Sequence, residues 1–208
     1  MACHNIPMSL ELWLIRHGQT DWNAEGRIQG QMNSQLSELG IRQAERLGER
    51  MEAFEFNFFF SSDSDRAHKT GQIALPEAEF KLDTRLREIS FGVLEGKTYN
   101  ELSDQERDWF GHYRKDPYNR SVPEGESWRE HIARVAAWMT DLPDTGRVVA
   151  FSHGGSIRAA IFSILGYPKS YEWNLSFGNT GITRLKISED QKRIVGINDV
   201  AHLEGMDV

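Results

Sequence analysis

Leu10-Glu11-Leu12-Trp13-Leu14-Ile15-Arg16-His17-Gly18 is a short, mostly apolar run that stops abruptly on two polar side chains and a glycine. Such a run suits a strand buried on both faces, as in a parallel sheet. The pattern recurs. Phe56 to Phe60 closes on Ser61-Ser62-Asp63, and Val148 to Phe151 closes on Ser152-His153-Gly154-Gly155. Helical spacing fills the intervals. Leu39, Ala44, Leu47 and Met51 predict a helix over 36–51, with Ser37 as its N-cap. Further helices are expected over 64–75, over 126–142 (Trp128, Ile132, Val135, Ala136, Met139) and over 156–165. Phe80 to Leu82 reads as a short strand, and 181–187 and 193–198 as two more. The stretch from 91 to 122 reads as irregular or mixed. Strands alternating with helices predict an α/β fold, a three-layer sandwich whose mainly parallel central sheet is flanked by helices.

The chain has 208 residues, enough for one ordinary domain. Residues 1–9 read as a loose lead without the pattern of a signal peptide, and 10–208 as a single domain. Within it, 91–125 reads as an excursion. Its aromatic and basic cluster from Trp109 to Arg120 is either a lid that selects substrate or a packed helical insert. A single cysteine, Cys3, excludes an internal disulfide framework and a four-cysteine zinc site, and fits a reducing cytoplasm. No apolar run is long enough to span a bilayer. The net charge of −7 argues against a nucleic-acid partner, since non-specific binding relies on neutralising phosphates. Yet 17 of the 24 cationic residues are arginine, the better fork for phosphate.

In open α/β sheets ligands gather outside the carboxyl ends of the strands. That places Arg16, His17, Arg66 and His153 at one point. Two arginines suit phosphoryl oxygens, and a neutral imidazole is a competent nucleophile. A helix opening after His153 adds free N–H groups for an anion. Departure of an alkoxide needs an acid, for which Glu88 is the best candidate.

Beyond these strand ends, an ordered set of motifs resembles the histidine phosphatase superfamily, in its phosphoglycerate mutase-like branch. Leu14-Ile15-Arg16-His17-Gly18-Gln19-Thr20-Asp21-Trp22-Asn23 is similar to its Arg-His-Gly signature. Gly26-Arg27-Ile28-Gln29-Gly30, Leu36 to Ala44, Ser61 to Thr70, Leu86 to Gly96, Pro123 to Ser127 and Ser152 to Arg158 follow in family order. The resemblance implies that His17 becomes phosphohistidine and that Glu88 donates the proton. Arg16, Arg66 and His153 would hold the phosphoryl group, with Thr20, Asn23, Gln29, Gly30 and Gly154 near the substrate. It implies no metal and no bound cofactor. His153 would help most as a cation, whereas His17 must be neutral. Ser64, Gly71 and Leu94 depart from the usual family residues, at positions without a catalytic role.

Glu88 and His153 are 65 positions apart, and Ile89-Ser90-Phe91 follows the acid where mutases usually carry a tyrosine. Both features resemble the compact phosphatases. The expected activity is hydrolysis of a small phosphorylated metabolite. The alternatives are a 2,3-bisphosphoglycerate-dependent phosphoglycerate mutase and an inactive phospho-ligand-binding member. Dimers are common in the family, so a homodimer stays open. Gly92 to Thr98 only imitates a P-loop, being one residue short between its glycines. His68, His112 and His131 lack the spacing of a metal set.

Overall fold

The computed structural model describes residues 9–168 and 175–206. The expected lead at 1–9 therefore lies outside the described residues, apart from Ser9. Among the described residues, six strands form one mixed sheet: β1 (Leu10–Arg16), β2 (Phe58–Ser61), β3 (Lys81–Leu82), β4 (Gly146–Ser152), β5 (Ile182–Ile187) and β6 (Lys192–Asp199). Their spatial order is β3-β2-β4-β1-β5-β6. The four strands from β3 to β1 run parallel, while β5 and β6 add an antiparallel edge. The helices are α1 (Asp21–Glu25), α2 (Glu38–Met51), α3 (Asp65–Ala74), α4 (Asp104–Lys115), α5 (Trp128–Thr140) and α6 (Gly154–Leu165).

Strand periodicity explains why the opening run is apolar on consecutive residues. Leu12 and Leu14 point to one face, where they join Val148, Ala150, Val135, Trp138 and Ile157 in one buried cluster. Trp13 and Ile15 point to the other, with Leu47, Met51, Val149 and Phe151. Each buried side chain of this size contributes about 1.5–3 kcal/mol, so a strand clad on both faces has no polar side to spare. That is the expected three-layer sandwich.

Most elements form where the sequence places them. Ser37 Oγ accepts from Gly40 N at 3.1 Å and caps α2. Ser127 and Glu130 form a reciprocal capping box at the start of α5. Some boundaries move. β2 begins at Phe58, because Phe56 turns inward to meet the Trp13 ring edge-on at 5.3 Å. α6 begins directly after His153, two residues before the expected start. The stretch read as irregular contains α4, with its own capping box at Ser103 and Glu106. Seven charged or histidine side chains among its twelve residues obscure the apolar period. Its Tyr113 is nevertheless buried, and Trp109 and Phe110 pack against the same core. Among the described residues no helix is long and apolar enough to cross a membrane.

The turn after β1 and the start of α2 meet backbone to backbone. A side-chain carbon at Gly40 would lie 1.9 Å from the Gln19 carbonyl oxygen, which no relaxation of a side chain can relieve. Gly40→Ala is accordingly expected to destabilise the fold by about 3 kcal/mol. Gly111→Ala in α4, where the new methyl meets nothing within 4 Å, should instead stabilise it by about 0.5–1 kcal/mol. Urea unfolding followed by circular dichroism measures both. An unchanged midpoint for Gly40→Ala would refute the close-approach argument.

Candidate active site

Parallel pairing of β1 with β4 runs from Leu10↔Gly146 to Arg16↔Ser152. The next residues, His17 and His153, therefore emerge side by side, with His17 N donating to Ser152 O at 2.9 Å. Their rings lie 5.2 Å apart between centroids. β2 ends beside β4, where Ser62 N donates to Phe151 O. α3 follows at once and brings in Arg66 on its first turn. His17, Arg66 and His153 are all buried.

The hydrogen bonds decide which nitrogen of His17 is free. Its Nδ1 lies 2.7 Å from the Gly18 carbonyl oxygen. A carbonyl only accepts, so Nδ1 carries the proton and Nε2 keeps its lone pair. Burial, then the charges of Arg66 and Arg16, push this imidazole well below its ordinary value of 6.5. His17 is thus neutral at neutral pH. His153 Nε2 meets Ser62 Oγ at 3.0 Å, while its Nδ1 is buried without a partner among the described residues. Burial and Arg66 also push His153 well below 6.5. The expectation of a cationic His153 therefore does not hold for the free protein, because desolvation and the neighbouring guanidinium both penalise a second charge there.

Arg66 is anchored through Nη1 to Met32 O and through Nη2 to Gly30 O, each at 2.7 Å. Arg16 Nη1 donates to Phe177 O at 2.6 Å. Both are held by carbonyls, not carboxylates, and both keep a buried Nε with no partner among the described residues. Burial lowers Arg66 to about 10, still fully protonated at neutral pH. Glu88 sits opposite the start of α6. Its Oε2 accepts from Gly155 N at 3.0 Å and its Oε1 from Ile89 N at 2.8 Å. A Cβ at Gly155 would fall 2.0 Å from Glu88 Oε1, so any larger residue there would displace the Glu88 carboxyl.

These groups face a cleft of about 300 Å³. Arg16, His17, Asn23, Gln29, Gly30, Arg66 and Glu88 line it, as the sequence led one to expect. Thr20, Gly154 and His153 do not; His153 is fully buried behind His17. Thr20 is buried as the cap of α1, with Oγ1 accepting from Asn23 N. Gly154 packs beside the Arg16 side chain, and Gly155 is the one that reaches the cleft. Arg158, Phe91, Phe110 and Trp128 complete the wall. Arg158 lies three positions past Gly155 on α6, so helical spacing was a usable signal for it. Phe110 and Trp128 arrive from α4 and α5, and nothing local announces them. Asn179 was also missed: its Nδ2 donates to His17 O at 3.0 Å and reaches Asn23 Oδ1 at 3.4 Å.

A neutral imidazole nitrogen between two guanidinium groups, with a carboxyl group nearby, suits transfer of a phosphoryl group. The sequence pattern of the histidine phosphatase superfamily (branch 1) matches residues 12–200. The chain belongs to that superfamily. It is similar to the probable phosphoglycerate mutase GpmB of Salmonella arizonae, with 35% identity covering 94% of this chain and 95% of that protein. Among solved structures, YhfR of Bacillus stearothermophilus superposes with a TM-score of 0.84 at 30% identity, covering 94% of this chain and 100% of that one. A mycobacterial glucosyl-3-phosphoglycerate phosphatase complexed with VO3 superposes with a TM-score of 0.77 at 31% identity, covering 90% and 98%. As a histidine phosphatase superfamily enzyme of the phosphatase and mutase-like kind, the chain brings four of the five expected residues, Arg16, His17, Arg66 and Glu88, to one cleft, with the His153 ring 5.2 Å from that of His17.

The depressed imidazoles carry a stability consequence. His17, His153, His131 and His202 are all held below their ordinary value, mainly by burial, with His202 at about 4. An unfolded chain would bind protons that the folded chain refuses. Stability is therefore fully present above about pH 6.5 and is lost as pH falls below it. Thermal melts from about pH 7.5 down to about 5 should show a falling Tm, and His153→Asn should flatten that slope. A Tm independent of pH across this window would contradict the neutral assignment.

Proposed function

We propose that this enzyme hydrolyses a small phosphomonoester through a phosphohistidine formed on His17. The observation that carries the reading is the fixed tautomer of His17: a buried, neutral Nε2 facing the same cleft as Arg16, Arg66 and Glu88. Nε2 attacks phosphorus in line, the bond from phosphorus to the substrate oxygen breaks, and the Glu88 carboxyl gives its proton to that departing oxygen. Water then attacks the phosphohistidine. Glu88 takes a proton from it, the N–P bond breaks, and inorganic phosphate and neutral His17 are released. Arg16 and Arg66 stabilise charge on the equatorial oxygens, with their free Nε–H groups as spare donors. His153 stays neutral: with Nε2 accepting from Ser62 Oγ, its otherwise unpartnered Nδ1–H donates to a phosphoryl oxygen, and no proton changes hands there. No metal takes part in this scheme.

The cleft limits the substrate. About 300 Å³ accommodates a small phosphorylated molecule and not a polymer. The net charge of −7 also disfavours polyanions. Phe91, Phe110, Trp128 and Ile28 offer an apolar wall beyond the phosphoryl end. α4 thereby joins the two readings of the 91–125 excursion: it is packed on the core, and it selects substrate through Phe110. The name of the Salmonella relative favours a second reading, phosphoglycerate mutase turnover with a 2,3-bisphosphoglycerate primer. Hydrolysis is preferred because the segment between Glu88 and His153 is short and Phe91 stands after the acid. A binding role without turnover is disfavoured because His17, Arg66, Glu88 and His153 are all present.

A panel of phosphorylated metabolites, assayed with a chelator present, should release phosphate. A parallel mutase assay primed with 2,3-bisphosphoglycerate should show no isomerisation. His17→Ala is expected to lower turnover at least roughly 1000-fold. Rapid quenching of the wild type should trap acid-labile phosphate on the protein, and the variant should trap none. Mutase turnover without hydrolysis, or activity that vanishes with the chelator, would sink the proposal.

A further inference from the structure

The Glu88 carboxyl is only as well aimed as the segment that carries it, and that segment has no strand or helix of its own. A 3-10 turn, Thr84–Leu86, precedes it, and irregular backbone follows. Its carbonyls therefore lack the partners a sheet would supply. Arg134, on α5, takes them. Nη1 donates to Arg85 O and Arg87 O, and Nη2 to Glu88 O, each at 2.8 Å. The rest of the fork grips Glu126, with Nε on Oε1 at 2.7 Å and Nη2 on Oε2 at 2.8 Å. Nη2 also lies 2.9 Å from His131 Nδ1. Every N–H of the guanidinium thus has a use.

Glu126 closes the arrangement from the far side. Its Oε2 accepts from Ser90 N at 2.9 Å. Gln31 Nε2 bridges Glu88 O at 3.2 Å and Glu126 Oε2 at 3.4 Å. Arg134 therefore holds residues 85, 87 and 88, while its partner carboxylate holds residue 90. The acid is bracketed on both sides by one bidentate ion pair. Burial opposes ionisation of Glu126, but the Arg134 fork overrides it and keeps that carboxyl below the usual carboxylate range. A fork of this shape cannot be copied by lysine, which has the charge but not the planar donors.

We propose that Arg134 and Glu126 are positioning residues for proton donation: they fix the backbone of 85–90 so that the Glu88 carboxyl meets the leaving oxygen. This rests on the reading of Glu88 as the acid. Neither residue lines the cleft, and neither touches the reacting atoms.

Leaving-group dependence separates aim from mere folding. 4-Nitrophenyl phosphate releases a stable anion and needs little help from an acid, whereas glycerol phosphate releases an alkoxide and needs the proton. The value of kcat/KM reports the phosphorylation step for both. Arg134→Met should lower kcat/KM for glycerol phosphate by roughly 100-fold and for 4-nitrophenyl phosphate by less than about 3-fold. Arg134→Lys should show the same bias, because charge alone does not restore the fork. Glu126→Gln, a milder change that keeps the side-chain shape, should show a weaker bias of about 5-fold, and it supplies the readout should Arg134→Met fail to fold. Glu88→Gln is the reference, with a bias at least as large. A bias in Glu88→Gln but equal losses on both substrates in the Arg134 and Glu126 variants overturns the positioning role alone. Absence of bias in Glu88→Gln overturns the reading of Glu88 as the acid, and this inference with it.

Discussion

Parallel pairing in register between Leu10–Arg16 and Gly146–Ser152 forces two strands to end at the same height. Everything at the cleft hangs on that register. It sets the His17 and His153 rings 5.2 Å apart, and it brings the start of α6 within reach of Glu88. A slip of one residue would send Leu12 and Leu14 to the face now occupied by Trp13 and Ile15. Both hydrophobic clusters would then have to repack, so burial on two faces guards the geometry of the site. Stability and chemistry share one pair of strands.

The electrostatics follow from where those strands end. Arg16 and Arg66 are held at the cleft by carbonyls, without carboxylate hydrogen-bond partners among the described residues. Uncompensated buried charge is costly unless something arrives to satisfy it. Burial first, and then the same pair, keeps both imidazoles neutral, so in the proposed mechanism the guanidinium groups help prepare the nucleophile as well as attract the substrate. An overall charge of −7 does not oppose this, because a cleft with apolar walls focuses the field of its own few charges. The arginine excess is spent elsewhere: Arg27, Arg85 and Arg87 pair with acids, and Arg46 and Arg50 sit on α2.

Strand ends were legible because burial writes itself into consecutive apolar letters, and His17, Arg66 and His153 lie at or just past such ends; Glu88 follows a 3-10 turn instead, and the motif around it was what marked it. α1 was not legible, since its five residues are shorter than two turns and leave no period to detect. α4 was hidden by charge. Contacts made through backbone carbonyls are harder still. Nothing in Arg134 or Asn179 as letters says that one will grip three carbonyls and the other the carbonyl of His17. Backbone acceptors are the same at every position, so sequence carries no trace of which one is taken. Thr20 illustrates the converse: a residue placed near the substrate by likeness is in fact occupied as a helix cap.

Arg66 has a double allegiance. Its two terminal nitrogens hold the carbonyls of Gly30 and Met32, while its Nε has no partner among the described residues and, in the proposed mechanism, takes a phosphoryl oxygen. The loop after α1 and the anion are therefore gripped by one planar group, whose orientation they share. Thermodynamic reciprocity then applies: whatever steadies the loop readies the guanidinium for phosphate, and phosphate repays the loop by the same free energy. One arginine makes the wall of the cleft and its occupant parts of a single equilibrium.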